Sequence, residues 1–306
     1  AQDFQIAGLK IQAVGARDFQ KANAFADKFD IPNRHQGYET LVNDPEVDAI
    51  YISTLHPFHK RDALLALNAG KHILLEKPFT INAREAEEIA SLAKSKKLFA
   101  MEAMWTRFLP SMDAIFDVIN SGALGEIELL IADHSQALTH IPRLVEKELG
   151  GGALLDLGIY PISLAHRIFG KPVSITAKAR LSHEKVDATT SMIFEYGGGK
   201  QATMTTSFLG AGPVTATIMG SLARIEIDKS FYGQTSFRVI NRDGEIIKSY
   251  SEKIHGEGRQ YQAIHAQKCI MEGLTESPVM SLGESIEIMR VMDEVRAQIG
   301  LTYPTE

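Results

Sequence analysis

Over the first third of the chain, short apolar runs alternate with stripes of helical spacing. Residues 11–18 (IQAVGARD) read as a strand closed by a turn. Behind Asp18, a suitable N-cap, the residues Ala22, Phe25, Ala26 and Phe29 recur at i, i+3, i+4 and i+7 and stop short of Pro32, which predicts a helix with one apolar face. Residues 47–54 (VDAIYIST) form a second apolar run, 60–69 a helix closed by Gly70, and 72–80 (HILLEKPFT) a buried strand that stops abruptly at Glu76, Lys77 and Pro78. Asn82 with Glu85 resembles a capping box, opening a helix that carries Ala86, Ile89, Ala90 and Ala93, and residues 98–103 (LFAMEA) are the next strand. Strands alternating with helices at this spacing imply right-handed crossovers and a doubly wound parallel sheet, an architecture that binds nucleotides.

Beyond residue 104 the pattern changes. After a helix at 111–121 come strand-like runs with few helices between them: 126–135, 173–181, 188–196, 200–208, 214–220, 224–230 and 237–250. Most alternate apolar and polar, with turns at Gly197 to Gly199 and at Asp243-Gly244, which predicts a mostly antiparallel open sheet covered on one face. The expected fold class is therefore α/β: a Rossmann-type parallel sheet in residues 1–104, and an α+β substrate and oligomerisation domain in residues 105–306. The uncovered face predicts a homodimer or higher homo-oligomer. With 44% apolar residues, 23% charged residues and a net charge of -6, nothing points to nucleic acid. No apolar run approaches the ~20 residues of a membrane span. No signal peptide opens the chain, so the cytoplasm is the expected setting. The one cysteine, Cys269, falls in a helical run and is expected to be a buried structural thiol.

Candidate chemistry starts at Lys77. Ligands of open parallel sheets bind beyond the carboxyl ends of the strands, where a Lys after a strand points into the site. The second notable stretch is 150–160 (GGGALLDLGIY), where three glycines allow close backbone approach and Asp156 and Tyr160, four apart, share a helical face. Pro161 lacks the N–H that would bond the carbonyl of Leu157, so a kink or loosened turn is expected where these two polar side chains sit. The ten histidines show no paired ligand spacing, and no metal is expected.

Glu76-Lys77-Pro78 after a strand, followed by a Gly-Gly-Gly-x-Leu-x-Asp-x-Gly helix, resembles the glucose-fructose oxidoreductase and inositol dehydrogenase (Gfo/Idh/MocA) family over nearly the whole chain. Residues 101–108 (MEAMWTRF), 138–143 (LTHIPR) and Tyr160 resemble the branch of dimeric dihydrodiol dehydrogenases and NADP-linked xylose dehydrogenases. The resemblance implies an NAD(P)-dependent oxidoreductase that moves hydride between nicotinamide and a hydroxyl of a sugar, polyol or cyclic dihydrodiol. The alternative is a non-catalytic sensor on the same fold. It implies Lys77, Asp156 and Tyr160 as the catalytic group. Much of the wider family has His in place of Tyr160. An adjacent ammonium lowers a phenol's pKa, so Tyr160 beside Lys77 is the expected acid/base, with Lys77 itself as the other candidate. The resemblance places Glu76, His56 and His59 at the cofactor, His59 ahead of His56, and Trp105, Arg107, Phe108, His140 and Arg143 towards the substrate. Arg17 stands where an acidic residue would bind an NAD ribose; with Lys21 one turn on, it favours NADP over NAD. The family pattern also sets a first strand and a Gly-x-Gly-x-x-Gly turn ahead of residue 11, which Gly8 and Gly15 do not supply. The expectation is a sequence that begins after that element.

Overall fold

The computed structural model describes residues 1–304 and 306. Five parallel strands come first: β1 (Ala13–Ala16), β2 (Asn33–Gln36), β3 (Ala49–Ile52), β4 (His72–Glu76) and β5 (Ala100–Ala103). β1 pairs with β2, and β4 pairs with both β3 and β5, all parallel. The helices between them follow the sequence closely. Asp18 caps Phe19–Phe29 by accepting from the amides of Gln20 and Lys21, and Asn82 caps Ala83–Lys96 by accepting from Glu85 N. Of the expected apolar stripe on the first of these helices, Ala22 and Ala26 are buried, whereas Phe25 is exposed and lies against Phe29. β2 and the short helix Tyr38–Val42 carry no apolar period and were not legible.

Eight further strands make one open sheet: β6 (Ile127–Ser135), β7 (Ser174–Leu181), β8 (Asp187–Glu195), β9 (Gln201–Ser207), β10 (Ala216–Gly220), β11 (Ala223–Ile227), β12 (Phe237–Asn241) and β13 (Ile246–Tyr250). Their order is β13-β12-β11-β10-β6-β9-β8-β7, antiparallel throughout except for β6 beside β9. One face presents Leu130, Ala132, Met192, Phe194, Ala202, Met204, Ile218 and Ile225, all buried, and helix Ile159–Phe169 packs on it. The other face is open. Across it Thr217, Ile131, Thr203 and Ile193 stand in register on four neighbouring strands, continued by the Glu226–Arg238 ion pair. The chain then returns to the first sheet: helix Leu282–Ile299 packs on Ala83–Lys96, and Ala100 N donates to the carbonyl of Thr275 at 3.1 Å. Cys269 is buried and unpaired, as expected.

The segment that enters helix Ile159–Phe169 shows how tightly the second half is specified. Gly152 sits at φ +124°, where a Cβ would collide with the Asp187 carboxylate. That carboxylate accepts from Leu154 N and from Thr190 Oγ1, both at 2.7 Å, and so caps the start of the helical run. The run opens as a π-helical turn, Leu154–Gly158, before becoming regular. This is the loosened turn expected from Pro161. The Leu157 carbonyl that Pro161 cannot serve is bonded by His134 Nδ1 at 2.9 Å.

Burial pushes the Asp187 carboxyl up to about 7 from an ordinary 3.8. The fold therefore favours its neutral form, and the stability tied to it is full below the lower value and lost as pH rises through the upper one. Asp187→Asn, which cannot ionise, should flatten the fall in melting temperature between about pH 4 and about pH 7. A slope equal to that of the unchanged protein would count against this account.

Candidate active site

β4 stops at Glu76 because Pro78, joined to Lys77 by a cis peptide bond, cannot continue the ladder. Lys77 thereby reaches out of the parallel sheet to the π-helical turn of the second half. Its Nζ donates to the Asp156 main-chain carbonyl at 2.7 Å and to Asp156 Oδ1 at 3.0 Å. The same Oδ1 accepts from Arg143 Nη1 at 2.6 Å. Lys77 Nζ also stands 4.7 Å from the centroid of the Tyr160 ring. The Tyr160 hydroxyl accepts from the Trp105 indole N–H at 3.0 Å, which leaves its own proton free for a ligand in the cavity.

These contacts set the charges. Burial works against the Asp156 carboxylate, but Lys77, His56 and Arg143 outweigh it and hold the group below the usual carboxylate range. Burial likewise works against the Lys77 ammonium, and Asp156, Tyr160 and Glu76 outweigh it, so the ammonium is held above its ordinary value. Tyr160 goes the other way from expectation. Burial raises its pKa above 10.0, and the opposing charge of Lys77 and the bond from Trp105 do not cancel that. Lys77 lies over the ring face rather than at the oxygen, which is why its charge is spent largely on Asp156.

His56 and His134 are both neutral near pH 7. Burial, with His59 next to it, lowers His56 to about 3, and burial with the charge of Lys77 lowers His134 to about 4. His134 uses its Nδ1–H on Leu157, so its Nε2 accepts from Gln136 Nε2 at 2.9 Å. His56 places Nδ1 on the Gly150 carbonyl at 3.1 Å and turns Nε2 towards Asp156, 3.9 Å away. Of the two loop histidines, His59 is the more deeply buried, with its ring nitrogens on the carbonyls of Pro78 and Thr54, and it ties the loops after β3 and β4 together.

A cavity of about 370 Å³ joins these groups, lined by His56, His59, Glu76, Lys77, Trp105, Arg143, Asp156 and Tyr160. Glu76 accepts from the Tyr51 hydroxyl and from Lys77 N. Sequence reasoning missed His134, Gln136, Tyr232 and Arg259, which line it too. His134 and Gln136 alternate at the carboxyl end of β6, a signal that was readable. Tyr232 lies in the loop between β11 and β12 and stacks on His134 at 4.3 Å, a contact with no local signature. Three residues expected on the substrate side are elsewhere. Arg107 is buried on Ser163 and Glu284, Phe108 packs against His265, and His140 is exposed on a turn outside the cavity.

A second cavity of about 270 Å³ abuts the first and shares Ser53, Thr54 and Leu55 with it. Arg17, at the end of β1, and Arg61 lie over the Phe58 ring, 5.8 and 4.7 Å from its centroid, and line its far end. Lys21 does not reach it; its backbone N–H bonds Asp18. Where the cavities meet, the Thr54 hydroxyl is buried without a partner. A two-part groove with guanidinium groups at one end, an unserved hydroxyl in the middle and Lys77 and Tyr160 at the other fits a dinucleotide.

Comparison with known proteins agrees with this layout. Residues 2–104 match the oxidoreductase family model with an NAD-binding Rossmann fold, and residues 112–226 match the GFO/IDH/MocA C-terminal domain. Trans-1,2-dihydrobenzene-1,2-diol dehydrogenases are similar along almost their whole length: that of Xenopus tropicalis is 36% identical over 96% of this chain and 91% of its own, and that of Mus musculus is 38% identical over 97% and 91%. The chain belongs to the GFO/IDH/MocA oxidoreductase family. Its fold is that of a 3-ketoreductase from Actinomadura kijaniata, crystallised with NADP and TDP-benzene (TM-score 0.86, 24% identity, 97% of this chain and 92% of that one). It is also that of an aldose-aldose oxidoreductase from Caulobacter crescentus (TM-score 0.86, 20% identity, 95% and 89%). As a member of the family, the protein is an NAD(P)-dependent dehydrogenase acting on CH–OH groups, which favours the enzyme over the sensor. Among the described residues no helix is long and apolar enough to cross a membrane.

Removing one partner of a buried ion pair strands the other. Asp156→Asn leaves the Lys77 ammonium without its counter-charge, and a loss of about 3–5 kcal/mol of stability is expected. Denaturant unfolding measures it; a change below about 1 kcal/mol would mean that Lys77 finds another partner.

Proposed function

We propose that this dehydrogenase uses NADP to oxidise, and in reverse to form, a hydroxyl of a sugar, polyol or cyclic dihydrodiol, with Lys77, Asp156 and Tyr160 as its catalytic group. The observation that carries the reading is the Lys77 ammonium, bonded to Asp156 and set on the face of Tyr160 inside the cavity. Trp105, Tyr160, Tyr232 and His134 wall that cavity with rings, which suits the C–H faces of a sugar or a cyclic diol. The trans-1,2-dihydrobenzene-1,2-diol dehydrogenases that share over a third of the chain's residues support the cyclic dihydrodiol among these classes.

Bound nicotinamide supplies the hydride acceptor. Arg17, with Arg61 beside it, would hold the adenosine end, and an Arg at that strand end suits a 2'-phosphate. Ser53, Thr54 and His56 line the path from there to Lys77. At neutral pH Lys77 and Tyr160 are both protonated, so they form a donor pair. In the reducing direction they donate to the oxygen on which charge develops. In the oxidising direction Tyr160 acts as its phenolate, which takes the proton of the substrate hydroxyl as hydride leaves the same carbon for nicotinamide, and Asp156 keeps Lys77 charged and in place.

The pH dependence follows from the raised pKa of Tyr160. Only the phenolate accepts a proton, so substrate oxidation should climb with pH through an apparent pKa above tyrosine's ordinary 10.0, while reduction holds through neutrality. Tyr160→Phe should remove that limb and slow the chemical step by roughly 10²- to 10⁴-fold, and Lys77→Met should be at least as damaging. Near-normal turnover and an unchanged profile in Tyr160→Phe, beside an inactive Lys77→Met, would move the proton to Lys77.

For the cofactor, Arg17→Ala should weaken NADP by about 1.5–3 kcal/mol and NAD far less. Equal weakening of the two would refute the preference. The open face of the eight-stranded sheet, with Ile131 and Ile193 exposed among threonines, supports a homodimer through that face. Sedimentation should give a dimer at micromolar concentration, and Ile131→Glu with Ile193→Glu should give monomers; a monomer without those changes would exclude it.

A further inference from the structure

Five ionic side chains line the larger cavity: Lys77, Arg143, Arg259, Glu76 and Asp156. Four of them are committed. Asp156 holds both Lys77 and Arg143, while Glu76 takes the Tyr51 hydroxyl and the Lys77 N–H. Arg259 is different. Its backbone N–H bonds Asp3 Oδ2 at 2.9 Å, but among the described residues its guanidinium has no hydrogen-bond or carboxylate partner and lies 5.0 Å from the Trp105 ring. A guanidinium held over an indole by a cation–π contact keeps its N–H groups available to an anion.

Trp105 connects that free cation to the chemistry. Its N–H bonds the Tyr160 hydroxyl and Arg259 lies over its ring, so one indole touches both the free cation and the reacting phenol. With His56 and His134 neutral, three cations line this cavity against two carboxylates, and the neighbouring Asp3 carboxylate is taken up by the backbone amides of Glu257 and Arg259. A neutral aldose or diol would leave the surplus charge to water, and an acidic one would pair it.

We propose that the natural substrate carries an anionic group, a sugar-acid carboxylate or a sugar phosphate, that Arg259 binds while the reacting hydroxyl lies at Lys77 and Tyr160. This rests on the reading of the cavity as the site of a hydroxylated substrate. Arg259 thus selects among substrates that share one reacting group.

Trp105 is the only tryptophan of the chain, so its fluorescence reports this end of the cavity directly. The test titrates the protein with glucose, glucuronate, galacturonate and glucose 6-phosphate, follows Trp105 emission, and measures NADP reduction with the same compounds. An acid or phosphate should bind about tenfold or more tightly than glucose, and added salt should narrow the difference. Carboxylate and phosphate arms tell the two anion sources apart. Arg259→Met should cut the ratio of kcat/KM for the acidic over the neutral compound by about tenfold or more, and Arg259→Lys should retain part of it. Equal or weaker binding of every anion, or a ratio unmoved by Arg259→Met, overturns the proposal. The two readings fail separately: an anion preference in emission without NADP reduction by any compound would refute the catalytic reading, and NADP reduction without anion preference would refute this one.

Discussion

The structure depends on one buried carboxylate. Asp156 accepts from a lysine that comes off the end of a parallel strand and from an arginine that comes from the second half of the chain. It does so from a helical turn that its own sequence loosens. An isolated charge in such a place would neutralise rather than persist. Here each ion is the reason the other stays ionised. The arrangement fixes the Lys77 ammonium within a few ångströms of a phenol, and it draws the lysine's field away from that phenol at the same time. In the mechanism proposed above, the site therefore donates a proton at neutral pH and accepts one only in alkaline solution.

Proline and histidine together make the place where that carboxylate sits. Pro161 withholds an N–H from Leu157, the helix opens into a wider turn, and His134 supplies the missing bond from β6. The histidine is thereby locked in one tautomer, and its other nitrogen engages Gln136. A side chain in the sheet, a backbone irregularity and a cavity wall are set by the same hydrogen bond.

How far the sequence led depends on the range of the interactions. Local signals were readable: the caps at Asp18 and Asn82, the strand stop at Lys77, the alternation along β6 to β13, and the disturbance at Pro161 were all legible because each acts within a few residues. Grouping Lys77 with Asp156 and Tyr160 drew on family resemblance, and the geometry then brought them together. Errors came where a residue type was given a role without its partners. Arg107 stands two residues from Trp105 in the chain but turns into a buried bond with Glu284, and Phe108 packs against His265. Tyr232 and Arg259 arrive from loops far along the chain, and no periodicity announces them. The sign of the Tyr160 shift was also beyond the sequence, since it turns on burial of the ring against the orientation of a single ammonium.

The return of the chain to its first sheet has a consequence for how the molecule comes apart. Helix Leu282–Ile299 lies along Ala83–Lys96, Asp293 accepts from Ala83 N, and Arg296 reaches Glu306, which also holds Asn82. The last residues of the chain thus complete the core of its first third. The boundary near residue 104 is a boundary in chain order and not in packing, so heat should melt both halves in one cooperative transition, with no state in which either survives alone.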